Sequence, residues 1–157
     1  MATIEKALEI AARAHAGEKD RQGAPYVLHP LRVMHGVEGE AAQIVAVLHD
    51  VVEDTDVTLD DLRAAGFSEE VLAAVDAVSR REGEPFADYI VRCKADPIAR
   101  RVKLSDLRDN SRPDRVLLRP NKREKDVRRL QRYIFSYHFL TDRMTEGEYR
   151  EAMKDVS

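Results

Sequence analysis

The fold is decided by the stretch Ala46-Val47-Leu48-His49-Asp50-Val51-Val52-Glu53-Asp54-Thr55. Plotted as a helix at about 100° per residue, its apolar side chains form one face that is expected to be buried. The opposite face carries one imidazole and three carboxylates in a two-by-two patch, since residues four apart in a helix are neighbours. Like charges this close repel one another unless a cation or buried protons hold them. The stretch therefore predicts a central helix with a metal or catalytic site on one face.

Length and composition limit the class of protein. The chain has 157 residues, of which 43% are hydrophobic and 35% charged, an ordinary helix-leaning composition that fits one domain. Cys93 is the only cysteine, which excludes an intramolecular disulfide and a thiolate zinc cluster. No apolar run approaches the roughly 20 residues of a membrane span, and the N-terminus lacks a secretion signal. We therefore expect a cytoplasmic protein with no membrane partner.

Charge is unevenly distributed along the chain. The net charge is −3, yet residues 100–132 contain 13 Lys and Arg against 5 Asp and Glu. A local excess of this kind suits a phosphorylated small molecule, whereas a duplex-binding protein is usually basic overall. A solvated helix face accounts for part of these cations. We expect a nucleotide-like ligand and no nucleic acid, and the sequence does not indicate an oligomeric state.

Periodicity and capping residues predict about eight helices and no strand. Short connections and unequal helix lengths favour an all-α fold, an irregular orthogonal bundle rather than a symmetric four-helix one. The predicted helices run from Thr3 to about His15, from near Pro30 to Gly36, from Glu40 to Thr55, from Leu59 to Ala65 with a Thr58–Asp61 capping box, after Ser68, from Phe86 to Cys93, after Pro97, from an Asn121–Glu124 cap to Leu140, and from Glu146 into a polar, frayed tail ending at Ser157.

Two further stretches supply candidate metal ligands. Pro30 suits the first turn of a helix, and its stiff backbone fixes His29 at the start of that helix. Asp106 continues the row of Ile98 and Val102 towards the buried side, where a carboxylate needs a partner. Taken singly, Asp106 could also be explained by a buried salt bridge or a helix-cap role.

Together with the central helix, these residues form a set of four candidate ligands. Two imidazoles and two carboxylates suit a divalent ion such as Mn²⁺, Fe²⁺, Mg²⁺ or Zn²⁺ with coordination positions left for water. Such an ion lowers the pKa of bound water, and Glu53 and Asp54 are placed to orient or deprotonate that water. The proposed ligands are His29, His49, Asp50 and Asp106.

Four blocks of sequence carry a resemblance to a known family. In order and spacing they resemble the HD-domain metal-dependent phosphohydrolases, and more closely the hydrolase domain of RelA/SpoT homologues, in particular the stand-alone small alarmone hydrolases. The resemblance covers residues 5–140 of what we expect to be a single HD-type domain over residues 1–157. The blocks are Gly23-Ala24-Pro25-Tyr26-Val27-Leu28-His29-Pro30, Leu48-His49-Asp50-Val51-Val52-Glu53-Asp54-Thr55, Val102-Lys103-Leu104-Ser105-Asp106, and Asn110.

The resemblance implies a Mn²⁺-dependent 3′-pyrophosphohydrolase of the stringent response. Such an enzyme removes pyrophosphate from the ribose 3′ position of (p)ppGpp or a related alarmone such as (p)ppApp. The family's synthetase domain has no room in this chain, so we expect no synthesis. The implied roles are metal binding by His29, His49, Asp50 and Asp106, water activation by Glu53 and Asp54, nucleotide contact by Asn110, and phosphate binding by Lys19, Arg21, Lys103 and Arg112.

The chain departs from these relatives at two positions that touch substrate rather than metal. Asp20 stands where the small alarmone hydrolases carry a loop arginine, with Arg21 one place later. Residues 110–113 also lack the threonine that those enzymes place after their arginine. Adenosine alarmones, NADPH or a 5′-nucleotide therefore remain alternative substrates. A non-catalytic nucleotide sensor is a further alternative, against which the presence of both Glu53 and Asp54 argues.

Overall fold

The computed structural model describes residues 1–156, and within that range it contains helices and no strand, which confirms the all-α prediction. None of these helices is both long enough and apolar enough to cross a membrane. The helices are α1 (Ile4–Ala14), α2 (Leu28–His35), α3 (Glu40–Leu48), α4 (Val51–Asp54), α5 (Leu59–Ala64), α6 (Glu69–Val78), α7 (Phe86–Lys94), α8 (Pro97–Asn110), α9 (Pro113–Val116), a 3₁₀ helix (Pro120–Lys122), α10 (Arg123–Leu140) and α11 (Glu146–Met153).

Helix α3 lies at the centre of the larger of two hydrophobic clusters and packs against α1, α2, α6 and α8. Every side chain from Ile44 to Leu48 is no more than 4% exposed. The C-terminal half of the helix is therefore buried on all sides, and not on one face as its periodicity predicts, whereas Glu40 at its start is exposed. Because α2 and α8 cover the polar end of α3, the candidate site is formed inside the bundle.

The central helix is interrupted where a single helix from Glu40 to Thr55 was predicted. Regular α-helix ends at Leu48 and resumes at Val51, with His49 and Asp50 forming a turn between α3 and α4. His49 Nδ1 lies 2.6 Å from the Ala46 carbonyl oxygen, the acceptor that the residue 50 N–H would bond in a continuous α-helix. The imidazole thus competes for that acceptor, and the helix breaks at the His-Asp pair.

A second hydrophobic cluster joins α7, α8, α10 and α11. The C-terminal segment, predicted to be polar and frayed, contributes Tyr149, Met153 and Val156, each no more than 4% exposed. Tyr149 stacks on Phe139 with ring centroids 4.6 Å apart. The predicted short polar helix is present as α11. The prediction of a frayed tail was wrong as far as Val156, because apolar side chains at helical spacing pack this segment against the bundle. Ser157 lies outside the described residues.

Capping was predicted correctly at some helices and wrongly at α10. The Thr58–Asp61 capping box is present, and the Ser68 side chain caps α6. The predicted Asn121 cap is absent: Lys122 occupies the N-cap position of α10 without a side-chain cap hydrogen bond. Buried Asp126 organises this turn instead, since its carboxylate accepts from the Arg119 backbone N–H at 2.9 Å.

A close contact between α2 and α8 depends on Gly36, the residue that follows α2. Ser105 Oγ on α8 donates to the Val33 carbonyl on α2 at 2.8 Å. A Cβ at Gly36 would collide with Ser105 Oγ and approach Ser105 Cβ to 3.1 Å. Since α2 carries His29 and α8 carries Asp106, this contact sets the spacing of two candidate ligands.

We expect Gly36→Ala to lower the free energy of unfolding by about 1–3 kcal/mol, because the added methyl group overpacks the α2–α8 contact. Gly147→Ala is the matched control, since a Cβ there meets nothing within 4 Å; in helix α11 it should leave stability unchanged or raise it by up to about 1 kcal/mol. Urea denaturation measures both. Equal stability of the two variants would contradict the close contact.

Candidate metal centre

The four predicted ligands converge on one small volume. His29 Nε2 lies 2.9 Å from Asp106 Oδ1 and 3.6 Å from Asp50 Oδ2. His49 Nε2 lies 3.0 Å from Asp50 Oδ2 and 3.3 Å from Asp106 Oδ1. The side chains come from α2, the α3–α4 turn and α8, and they are separated by up to 77 positions along the chain. Each of the four residues is no more than 8% exposed.

These distances fit the coordination sphere of a divalent cation. Neighbouring ligands of an octahedral ion with bonds of about 2.1 Å lie about 3.0 Å apart, and the four imidazole-to-carboxylate distances in the cluster are 2.9–3.6 Å. Two imidazole nitrogens and two carboxylate oxygens form a donor set of borderline hardness. His29, His49 and Asp50 also offer ligand atoms that all lie within 4.8 Å of one another. The residues present therefore fit a single bound cation.

The Nδ1 atoms of both histidines are engaged outside the cluster. His29 Nδ1 lies 2.6 Å from Asp109 Oδ2, and His49 Nδ1 lies 2.6 Å from the Ala46 carbonyl oxygen. Both partners are acceptors, so each Nδ1 carries the proton and donates it. Each Nε2 is then directed at the cluster with its lone pair available to a cation, the arrangement found in most metal-binding histidines.

Protons hold the cluster together when no cation does. Burial lowers the pKa of His49, but the charge of Asp50 and the hydrogen bond to Asp106 outweigh burial and raise it well above its usual range. Burial likewise opposes a charged His29, and hydrogen bonds to Asp106 and Asp109 raise its pKa. Burial alone would raise the pKa of Asp50, yet the neighbouring His49 lowers it to about 2. Cation binding must therefore displace protons from Nε2, and affinity should fall as the pH falls.

Two further side chains fix the carboxylates. Lys103 Nζ donates to Asp106 Oδ2 at 2.7 Å and lies 5.1 Å from the ring centroid of Tyr89. The Tyr26 hydroxyl donates to Asp50 Oδ2 at 2.5 Å. Lys103 was predicted to bind phosphate, but its buried ammonium group neutralises a candidate ligand instead.

Glu53 and Asp54 lie one turn beyond the cluster and are more exposed than the ligands. Oxygen atoms of Asp50, Glu53 and Asp54 lie within 4.8 Å of one another. Partial burial, followed by repulsion from Asp50, raises the pKa of Glu53 to about 7 and that of Asp54 to about 6. These two carboxyl groups can therefore exchange a proton near neutral pH.

A pocket of about 330 Å³ opens beside the cluster. Its wall includes the predicted substrate residues Lys19, Arg21 and Asn110. Asn110 Nδ2 also donates to Asp106 Oδ1 at 3.0 Å, so the pocket wall and the metal cluster share a side chain. Arg112 does not line this pocket; its guanidinium donates to Asp114 at 3.0 Å. The remaining lining residues are Asp20, Gln22, Tyr26, Arg115 and Tyr133.

Sequence reasoning missed Asp109 and Arg115. Asp109 accepts the hydrogen bond of His29 Nδ1 and is also bound by Arg32, with Nε–Oδ1 at 2.7 Å. Its position three residues after Asp106 on α8 was an available signal, since such residues share a helical face. Arg115 donates to Asp20 at 3.0 Å across 95 positions, a pairing that no local pattern indicates.

Comparison with known proteins places this geometry in a family. The family described as HD domain matches residues 7–101, more than half of the chain. The chain is 31% identical to a GTP pyrophosphokinase of Streptomyces coelicolor over 98% of its own length and 19% of that protein. It is 33% identical to the guanosine-3′,5′-bis(diphosphate) 3′-pyrophosphohydrolase of Aquifex aeolicus over 68% of its length and 17% of that protein. The chain thus spans less than a fifth of either relative.

A solved structure shares the fold. It belongs to a metazoan orthologue of SpoT described as hydrolysing ppGpp, and it superposes with a TM-score of 0.71 at 24% sequence identity. The superposition covers 99% of this chain and 94% of that one. The arrangement of helices around the cluster is therefore that of the HD-domain fold.

We expect Asp109→Asn to weaken Mn²⁺ binding about 10- to 100-fold, because the amide is a poorer acceptor for the His29 Nδ1 proton. Asp88→Asn, which alters an exposed carboxylate paired with Arg150 on another face, is the control. Titration of free Mn²⁺ by electron paramagnetic resonance gives both affinities. An unchanged affinity in Asp109→Asn would show that this hydrogen bond does not support the site.

The raised pKa of Glu53 predicts a pH-dependent stability in metal-free protein. The folded-state pKa of about 7 lies above the ordinary value of 4.5. The contribution of Glu53 to folding stability is therefore fully present below pH 4.5, where the group is protonated, and is lost as the pH rises through 7. With chelator present, we therefore expect the Tm of Glu53→Gln, compared with that of wild type, to increase as the pH rises from 4.5 to 7. Glu82→Gln, on an exposed loop, is the control. A Tm difference independent of pH would contradict the assignment.

Proposed function

The chain belongs to the HD domain family, and from that premise we propose that it is a metal-dependent 3′-pyrophosphohydrolase of guanosine alarmones. The proposed reaction removes pyrophosphate from the ribose 3′ position of (p)ppGpp or of a related alarmone such as (p)ppApp. Its relatives include proteins named guanosine-3′,5′-bis(diphosphate) 3′-pyrophosphohydrolase. Within this family, the resident ion that we propose is Mn²⁺, for which the nitrogen and oxygen donor set is suitable.

The observation that carries the proposal is the junction between the four-ligand cluster and the cationic pocket. Tyr26 and Asn110 line the pocket and at the same time bond Asp50 and Asp106. A phosphate group bound between Lys19 and Arg21 would therefore lie next to the ligand cluster. A reaction on a phosphorylated nucleotide requires both of these parts, namely cations that bind its phosphates and a metal centre next to them.

The proposed ion would be held by His29, His49, Asp50 and Asp106. When bound, it would polarise a phosphoryl oxygen and favour ionisation of water near neutral pH. Lys103 keeps Asp106 ionised in the interior, since an ammonium group at 2.7 Å holds the pKa of that carboxyl well below its usual range despite burial. The protein thereby favours an ionised carboxylate at the position of a proposed ligand.

Glu53 is the proposed general base, with Asp54 orienting the same water. The water oxygen forms a bond to the phosphorus attached to the 3′ oxygen, Glu53 accepts a water proton, and the bond from that phosphorus to the 3′ oxygen breaks. The 3′ oxygen then takes up a proton, and intact pyrophosphate leaves. A carboxylate base of pKa close to the working pH is suited to such a transfer, and Glu53 has a pKa of about 7.

The pocket cations are proposed to neutralise the phosphates. Lys19 and Arg21 extend from the connection between α1 and α2 into the pocket, where Arg21 can bind a phosphate through two N–H groups. Asn110 offers an amide to the nucleotide. Lys103 and Arg112 are left out of this proposal as phosphate ligands, because their cations contact Asp106 and Asp114.

One incubation series tests the function. Purified protein with Mn²⁺ is offered ppGpp, ppApp, NADPH and 5′-nucleotides, and the products are identified by chromatography. We expect GDP and pyrophosphate from ppGpp, with no cleavage at a 5′ phosphate. Release of orthophosphate from NADPH or a 5′-nucleotide alone would overturn the proposed substrate class. Binding of ppGpp without turnover would instead favour a nucleotide sensor.

Two variants separate metal binding from water activation. Glu53→Gln should lower kcat about 10²- to 10⁴-fold while Mn²⁺ affinity stays close to that of wild type, since a general base contributes rate rather than binding. Asp50→Ala should lose both Mn²⁺ binding and turnover. Full turnover by either variant at saturating Mn²⁺ would refute the assigned roles.

A further inference from the structure

Arg115 is a buried cation on α9 with three different partners. Its side chain is 9% exposed. Its guanidinium donates hydrogen bonds to Asp20 (Nη1–Oδ2, 3.0 Å) and Asn110 (Nη2–Oδ1, 3.1 Å). Its Nε forms an ion pair with Asp109 (Nε–Oδ2, 3.3 Å) without a hydrogen bond. A planar guanidinium fixes the mutual orientation of all the groups that it contacts.

Two of these partners lead directly to candidate metal ligands. Asp109 accepts the Nδ1 proton of His29 at 2.6 Å. Asn110 donates to Asp106 Oδ1 at 3.0 Å. Arg115 therefore contacts both the residue that binds the proposed ligand His29 and the residue that binds the proposed ligand Asp106.

The third partner holds the pocket loop, residues 17–25. Asp20 Oδ1 accepts from the backbone N–H groups of Gln22 at 2.9 Å and Ala24 at 3.0 Å, and its other oxygen binds Arg115. These bonds fold the loop around the Asp20 carboxylate. Lys19 and Arg21, on either side of Asp20, project into the pocket from this loop.

Asp20 depends on Arg115 for charge compensation more than Asp109 does. Asp109 also has the bidentate contact of Arg32, at 2.7 and 3.1 Å. Asp20 has Arg115 as its only ion-pair partner among residues 1–156, and its side chain is 6% exposed. A buried carboxylate that loses its cation is strongly disfavoured, so loss of Arg115 should release the loop and loosen Asn110 and Asp109.

We propose that Arg115 is a positioning residue that joins the phosphate-binding loop to the outer hydrogen bonds of the metal centre, so that one guanidinium sets both nucleotide and metal affinity. The part of this inference that concerns nucleotide affinity rests on the proposed function. The part that concerns metal affinity involves the residues around the cluster alone and can be tested without turnover.

The test is a double-mutant cycle with two readouts. The first readout is Mn²⁺ affinity, measured without substrate by electron paramagnetic resonance. The second is KM and kcat for ppGpp, measured at saturating Mn²⁺. Arg115→Gln should weaken Mn²⁺ binding about tenfold, as loss of an outer partner does, and raise KM about tenfold with kcat within about threefold of wild type. Asp20→Asn should raise KM about three- to tenfold with Mn²⁺ affinity within about twofold.

The two substitutions should not be additive. Because both break the same contact to the loop, the double variant should have the KM of Arg115→Gln alone, whereas independent sites would multiply their effects. Arg115→Lys should fall between wild type and Arg115→Gln, since one ammonium group cannot reach three partners. Arg13→Gln, which removes an 80% exposed arginine of α1, is the matched control and should change neither constant.

The outcomes separate the proposals. If Arg115→Gln folds, shown by its circular dichroism, and both Mn²⁺ affinity and KM stay within twofold of wild type, the positioning role is refuted. If that variant does not fold, Arg115→Lys and its combination with Asp20→Asn give the same comparison, and additive KM effects there refute it. If wild-type protein cleaves none of the nucleotides, the proposed function fails, while the Mn²⁺ affinities still decide the role of Arg115.

Discussion

The Nδ1 hydrogen bonds of the two histidines are the constraint on which the candidate site depends. Each bond commits one ring nitrogen to an acceptor outside the cluster, Asp109 for His29 and the Ala46 carbonyl for His49. The other nitrogen of each ring is then aimed at the carboxylates. The second of these bonds also interrupts the central helix, so the helix break and the ligand orientation have a single cause. Secondary structure and site chemistry are inseparable at this point of the chain.

Burying several carboxylates requires cations in the surrounding layer. Lys103 binds Asp106, and Arg32 and Arg115 bind Asp109. These cations keep the carboxylates ionised. Lys103 binds the Asp106 oxygen that the histidines do not contact, whereas Arg115 contacts the same Asp109 oxygen that accepts from His29. An unpaired buried charge would be far more costly than this paired arrangement. The positive charge concentrated in residues 100–132 thus serves the interior as well as the pocket.

The sequence predicts what local patterns encode. Helical periodicity and capping residues locate most of the helices, and the His-Asp pair with His29 and Asp106 gives the cluster that the structure assembles. What it does not predict has a tertiary origin. In place of the predicted Asn121 cap, the Asp126 carboxylate accepts a hydrogen bond from the Arg119 backbone. The polar sequence of α11 gives no indication that Tyr149 packs in the second hydrophobic cluster. Pairs such as Asp20 with Arg115 lie too far apart along the chain for periodicity to join them.

Asp20, the loop position at which the chain differs from the small alarmone hydrolases that it resembles, shows why a substitution has to be interpreted in three dimensions. An aspartate in place of an arginine next to Arg21 reverses a charge, and on sequence alone it should repel a phosphorylated ligand. In the fold its carboxylate is 6% exposed and bound to Arg115, which itself lines the pocket. The pair is neutral, and Lys19 and Arg21 still give the wall a positive charge. Because Arg115 compensates the charge of Asp20, the reversal of charge at this loop position does not make the pocket wall negative.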